Sequence, residues 1–213
     1  MEPSPEAAST GSAHSFRVPK GNAQPGSAWS FDVLIDSSRA RSSWRLLKLA
    51  GPSVGRMARV FVYGTLKKGQ PNYSYMINSA NGTARFQGRG LTMEKYPLVI
   101  AGKYNIPYLL HKPGTGHRVT GEIYSVDDQM LQFLDEFEGC PNVYQRTPMR
   151  IEVVAWEGKS IASEERPAVN SVLECHVYST STYQPEWINL PYYDNYDSFG
   201  DHKLEYVLRE RRD

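Results

Sequence analysis

Two places in this 213-residue chain bring together residue types that can do chemistry. The first is the stretch RVFVYGTLKKGQPN, Arg59 to Asn72. Its apolar run from Val60 to Tyr63 reads as a buried strand, which stops in Tyr63-Gly64-Thr65-Leu66. The chain then turns basic and punctuated at Lys67, Lys68, Gly69 and Pro71. A turn at the end of a core strand can aim backbone N–H groups at a ligand, and a glycine in it lets the backbone come close. The second place is Glu138, at the end of DDQMLQFLDEFEG. A carboxylate can move a proton if its surroundings raise its pKa towards neutrality.

The segment that carries Glu138 is predicted to be a helix. Asp127 suits the N-cap, with acidic Asp128 beside it. Met130, Phe133, Leu134 and Phe137 recur at helical spacing, and Gly139 suits the position just past the end. On a wheel of about 100° per residue, Asp135 and Glu136 fall towards water. Glu138 does not. It shares the side of Leu131 and Leu134, at the margin of the buried face. Burial, the negative end of the helix and two neighbouring acids all raise a carboxyl pKa. Glu138 is therefore a candidate general base, the alternative being a structural Glu paired with Arg146.

Around these two places the pattern is mostly β. RVFVYG, ARFQGRGL, YPLVIAG, HRVTGEIYSV, MRIEVVAW and SVLECHVYS read as strands by alternation and β-branched content. PNYSYMINSA reads as a short helix, and SIASEERPAVN as a polar loop. Strands with few short helices predict an α+β fold, a closed or nearly closed, mostly antiparallel β-sheet. Residues 1–56 differ: they are rich in Ser, Gly, Ala and Pro without sustained periodicity, and read as a disordered extension. SRARSSWRLLKLAG within them could form a basic helix with the Arg-Ser richness of a transit peptide, though far from Met1. The folded domain is assigned to residues 57–213, and Met57 is a plausible start of a shorter product.

Composition bounds the function. Hydrophobic residues at 40% and charged residues at 22% are ordinary for a soluble domain, and no run is long and apolar enough to span a bilayer. Two cysteines, Cys140 and Cys175, fit a reducing, cytoplasmic setting with free thiols, one disulfide being the alternative. The net charge of +1 hides an asymmetry: residues 37–93 hold ten Lys or Arg and no Asp or Glu. That excess either draws an anionic ligand to the glycine turn or belongs to the extension alone. GTLKKGQP has the spacing of a phosphate loop, but Gln70-Pro71 stand where Lys-Ser/Thr should, which argues against nucleotide. The five histidines show no metal spacing, and a Cys140–His176 amidase would place its thiol at the wrong end of a helix. The basic turn is a poor case for RNA.

The ordered series VYGTL, GRG, YPLVIAG, GEIYSVD, LDEFEGCPNVYQR and a late VYS strand, with GQPN, NIP, PEW and DSFGDHKLEY, resembles the γ-glutamylcyclotransferase-like (AIG2-like) family from about Ala58 to Tyr206. Its fold is a small β-barrel with short accessory helices. The resemblance implies that Tyr63, Gly64, Thr65 and Leu66 form the pocket for a γ-glutamyl group. It implies Glu138 as the catalytic proton acceptor and Tyr144 near the pocket. Tyr108 departs from the tryptophan expected after NIP. The branch resembled implies that a γ-glutamylamine, such as γ-glutamyl-ε-lysine from crosslinked protein, becomes 5-oxoproline and a free amine. The expected ligand is that small molecule, with no cofactor, metal, nucleic acid or membrane, and with a monomer acting alone. Two alternatives stay open: a branch acting on γ-glutamyl amino acids, and a non-catalytic γ-glutamyl-binding member.

Overall fold

The computed structural model describes residues 57–159 and 166–212. The extension over residues 1–56 and most of the polar loop SIASEERPAVN lie outside the described residues. Among the described residues seven strands and two α-helices follow in order: β1 (Ala58–Val62), α1 (Tyr73–Ile77), β2 (Ala84–Thr92), β3 (Leu98–Ala101), β4 (Ile106–Leu109), β5 (Thr120–Val126), α2 (Asp128–Phe137), β6 (Gln145–Trp156) and β7 (Val172–Ser179).

Five strands close into a barrel in the order β1-β5-β2-β6-β7. Four of its pairings are antiparallel; the barrel shuts where β7 meets β1 in parallel at Val60↔His176. The mostly antiparallel barrel expected from the pattern is thus the fold observed. No edge strand is left in it, which removes a template for aggregation.

β1 explains its own composition. Phe61 and Tyr63 point into the barrel, against Ile123, Ile151, Val153 and Val177. Val60 and Val62 point outward, into a second core with Met130 and Leu134 of α2. A strand buried on both faces must be apolar throughout, hence the unbroken run.

The α2 helix is capped as its sequence predicts. The Asp127 carboxylate accepts from the Met130 N–H at 2.8 Å and from the Thr83 N–H at 2.9 Å. At the other end Gly139 takes φ = 64°. The Gly139 N–H then donates to Glu136 O and the Cys140 N–H to Asp135 O, at 3.1 and 2.9 Å, a Schellman closure. The helix is therefore stopped at Phe137, and Glu138 is fixed as its C-cap residue.

The strand missed in the sequence is β4, because Pro107 lies in it and proline argues against a central strand. β4 pairs with β3 alone, in a two-stranded sheet beside the barrel where a missing N–H is tolerated. No helix among the described residues is long and apolar enough to cross a membrane.

Deleting residues 1–56 should leave melting temperature and turnover almost unchanged, because β1 begins at Ala58 and the extension has a disorder-like composition. A truncated protein that melts several degrees lower would show that the extension packs on the barrel.

Candidate active site

Where β1 ends, the chain leaves the barrel through Tyr63 and turns at Gly64-Thr65-Leu66. The turn is held from behind. The Lys67 N–H donates to Gly64 O at 3.1 Å and the Asn72 N–H to Thr65 O at 2.9 Å. The Asn72 amide also donates to Thr65 Oγ1 and to the Tyr206 hydroxyl, both at 3.0 Å. Lys67 is buried, and its ammonium donates to Asn195 Oδ1 at 2.6 Å and Tyr196 O at 2.8 Å. Burial lowers the Lys67 pKa, opposed by Glu122 and Asp197. Lys67 is therefore a strut that ties the turn to the C-terminal segment, and Lys68 is exposed. Neither lysine lines the pocket, so the excess of basic residues does not form its wall.

A pocket of about 410 Å³, measured to its open mouth, lies in front of the turn. Tyr63, Gly64, Thr65 and Leu66 line it together with Glu138 and Tyr144, so all six residues singled out in the sequence meet there. Val60, Phe61, Val62, Pro107, Leu134 and Tyr178 complete the wall. Gly64 makes the closeness of β4 possible: a Cβ on it would stand 3.1 Å from Pro107 Cγ.

The three pocket tyrosines have already committed their protons. Tyr63 Oη donates to Tyr178 O at 2.7 Å and accepts from the Leu109 N–H at 3.3 Å. Tyr144 Oη donates to Pro107 O at 2.9 Å, and Tyr178 Oη to Asp135 Oδ1 at 2.7 Å. Burial raises the pKa of all three, well clear of neutrality. They are walls rather than acids.

Glu138 is the one carboxylate in the lining, and it is different. No donor among the described residues reaches its side chain. Burial pushes its pKa up to about 7, against the lowering effect of Arg209. Of the three causes anticipated in the sequence, burial carries the shift. The Arg146 pairing does not form with Glu138. Arg146 instead holds Asp135, with Nε donating to Oδ1 at 2.8 Å and Nη2 to Oδ2 at 3.2 Å. This corrects the placement of Asp135 in water: it is half-buried, fastened to Arg146 and Tyr178, whereas Glu136 is exposed as expected. The helix wheel missed the contact because both partners come from other strands.

The backbone N–H groups of Gly64, Thr65 and Leu66 find no acceptor among the described residues. Amides without a protein acceptor, in the same lining as a carboxyl base, give the pocket groups for an anionic oxygen and for a proton. Both cysteines are free; Cys175 is buried with its pKa pushed up to about 12, and Cys140 is outside the pocket lining. Among the described residues no three His, Cys, Asp or Glu side chains converge to hold a metal.

Such a pocket, on a closed five-stranded barrel, defines a small-barrel enzyme. The chain belongs to the γ-glutamyl cyclotransferase, AIG2-like family, whose sequence model matches residues 60–198. It is 56% identical to γ-glutamylaminecyclotransferase of Rattus norvegicus over 156 residues, 73% of this chain and 100% of the relative. The Homo sapiens protein of that name is 54% identical over the same shares. A crystal structure of an AIG2-like protein from Mus musculus matches with a TM-score of 0.66 and 54% identity, covering 74% of this chain and 99% of that one.

Proposed function

We propose that the chain is a γ-glutamylamine cyclotransferase, converting γ-glutamyl-ε-lysine and related γ-glutamylamines to 5-oxoproline and the free amine. Such a reaction serves the breakdown of transglutaminase-crosslinked protein, and we place it in the cytoplasm with a monomeric enzyme. The observation that carries the reading is Glu138, a carboxyl with a pKa near 7 and no protein partner, in one pocket lining with the Gly64–Leu66 turn.

The substrate attacks itself. Its α-amine must be neutral before it can reach its own δ-carbonyl carbon. Glu138 takes the ammonium proton, the amine nitrogen bonds to the δ-carbon, and the carbonyl oxygen becomes an oxyanion. When the oxyanion collapses, the bond to the leaving nitrogen breaks and Glu138 returns the proton to that nitrogen. The ring nitrogen sheds its second proton through Glu138 as the lactam forms, and the released amine takes it up as an ammonium ion, so both protons pass from the α-nitrogen to the leaving amine and no co-reactant is required. The pocket's main contribution is pose: curling the glutamyl chain brings amine and carbonyl together, and effective molarities of such closures reach about 10⁵ M or more. The turn amides hold the α-carboxylate or the oxyanion. Incubation with γ-glutamyl-ε-lysine should yield equal amounts of 5-oxoproline and lysine; recovery of unchanged substrate would leave only a binding role.

The leaving amine sets specificity, because every γ-glutamyl substrate shares the same head. In a γ-glutamyl-α-amino acid a carboxylate lies one carbon from the scissile nitrogen, close to ionised Glu138. Two such charges about 4 Å apart repel by roughly 1 kcal/mol in water and about 4 kcal/mol at an effective dielectric near 20. Arg146 does not offset this, since Asp135 engages it. Arg209 is exposed, so solvent screens it. Turnover of γ-glutamyl-ε-lysine should exceed that of γ-glutamyl-alanine at least about tenfold, with glutathione also poor. Competition at equal, subsaturating concentrations measures the ratio. A ratio of one or less moves the chain to the branch acting on γ-glutamyl amino acids.

A further inference from the structure

A row of aromatic rings leads away from the pocket wall. Tyr144, buried in that wall, stacks on Tyr108 with centroids 5.3 Å apart and planes 17° from parallel. Tyr108 in turn meets Trp187 at 4.6 Å. Tyr108 and Trp187 are both half-buried, so the row runs from the pocket interior towards solvent.

Arg212 stands beside this row. Its guanidinium carbon lies 4.7 Å from the Tyr104 ring centre and 4.9 Å from that of Tyr206, and its charge acts on the Tyr108 hydroxyl. Its Nε donates to Val207 O at 3.1 Å. One terminal nitrogen, Nη2, is shut off from solvent and has no acceptor among the described residues. A charged donor left unpaired is costly, and a carboxylate is the acceptor that a guanidinium matches best. Arg209, the neighbouring candidate, is already engaged: it donates to Phe137 O at 2.8 Å and lies over the Phe137 ring at 4.1 Å.

We propose that the Tyr144–Tyr108–Trp187 row and Arg212 form the subsite for the leaving amine, and that it selects γ-glutamylamines whose alkyl chain ends in a carboxylate. The proposal rests on the cyclotransferase reading above. With the glutamyl head at the Gly64–Leu66 turn and the scissile nitrogen at Glu138, the rest of the amine extends along the rings. Methylene groups run along the ring edges, and the distal carboxylate meets the guanidinium of half-buried Arg212. A carboxylate next to the scissile nitrogen falls short of Arg212 and meets Glu138 instead. The same arrangement therefore rejects α-linked amino acids and favours the ε-linked lysine.

Two matched probes test this on the full chain: γ-glutamyl-6-aminohexanoate and γ-glutamyl-hexylamine, which differ by the terminal carboxylate. The wild type should show a kcat/KM at least about tenfold higher for the carboxylate compound. In Arg212→Gln the ratio should fall to near one. Each ratio is taken within one preparation, so partial misfolding of the variant cancels. Equal handling of the two probes by the wild type, or an unchanged ratio in the variant, overturns the subsite and leaves the cyclisation standing. Absence of 5-oxoproline from both probes removes the cyclotransferase reading, and the subsite with it.

Discussion

Glu138→Gln should lower kcat on γ-glutamyl-ε-lysine by about 10³-fold or more, while the protein stays folded and still binds 5-oxoproline. General acid–base catalysis contributes about 10²–10⁴-fold. The other polar side chains of the pocket are poor substitutes, since Tyr63, Tyr144 and Tyr178 each donate to a fixed acceptor. Glutamine keeps the size and loses the proton acceptor. The same substitution should change stability in a defined direction. A carboxyl whose pKa is about 7 in the folded chain, against an ordinary value of 4.5, binds its proton more tightly folded than unfolded. Its contribution is present below pH 4.5 and is lost as pH rises through 7, roughly 3 kcal/mol in all. Glu138→Gln should therefore melt higher than wild type at pH 8, with the gap closing towards pH 4. In the wild type kcat/KM should climb through an acid limb centred near pH 7. A variant within tenfold of wild-type turnover would remove Glu138 from the mechanism.

Asp135→Ala should cost both stability and activity, although Asp135 is outside the pocket lining. Its carboxylate accepts from Arg146 and from the Tyr178 hydroxyl. Tyr178 lines the pocket, and its carbonyl in turn receives the Tyr63 hydroxyl. Removing the carboxylate leaves a guanidinium and a phenol without their acceptor at once. Breaking a fully buried pair costs about 3–5 kcal/mol. Here 27% and 30% of the two side chains remain exposed, so about 2 kcal/mol is the fitting figure. For a domain of this size that lowers the melting temperature by about 4–8 °C. Tyr178 and Tyr63 shape the wall around the reacting atoms, so a shift of an ångström should reduce kcat/KM by about tenfold to 100-fold. Thermal melts and steady-state rates read the two effects separately. An Asp135→Ala protein matching the wild type in both would show that the Arg146–Asp135–Tyr178 chain has no hold on the pocket.

These two acids, three residues apart on one helix, also show what a sequence discloses. Glu138 was legible because the cause of its behaviour is local. Its place relative to Leu131 and Leu134 follows from helical geometry, and Gly139 says where the helix stops. Asp135 was misread because its partners are tertiary: Tyr178 lies 43 residues away, across the barrel closure. Lys67 followed the same rule. In the sequence it is one basic residue in a basic stretch. In the fold Asn195, 128 residues on, converts it into a buried strut. β4 was lost to the ordinary meaning of proline, yet it supplies Pro107 to the pocket and Tyr108 to the ring beside it. The unbroken apolar and aromatic run from Ile106 to Leu109 was the available signal. The barrel itself was readable because its strands carry regular alternation and its first strand, buried on both faces, carries none.

The most direct test of the central claim is a crystal structure of the full chain with 5-oxoproline bound. The account predicts the ring in the pocket ahead of Gly64, Thr65 and Leu66. An oxygen of the product should accept from those backbone N–H groups, and the ring nitrogen should lie within hydrogen-bond reach of the Glu138 carboxyl. Product bound elsewhere on the barrel, or in the pocket with its nitrogen turned away from Glu138, would contradict it.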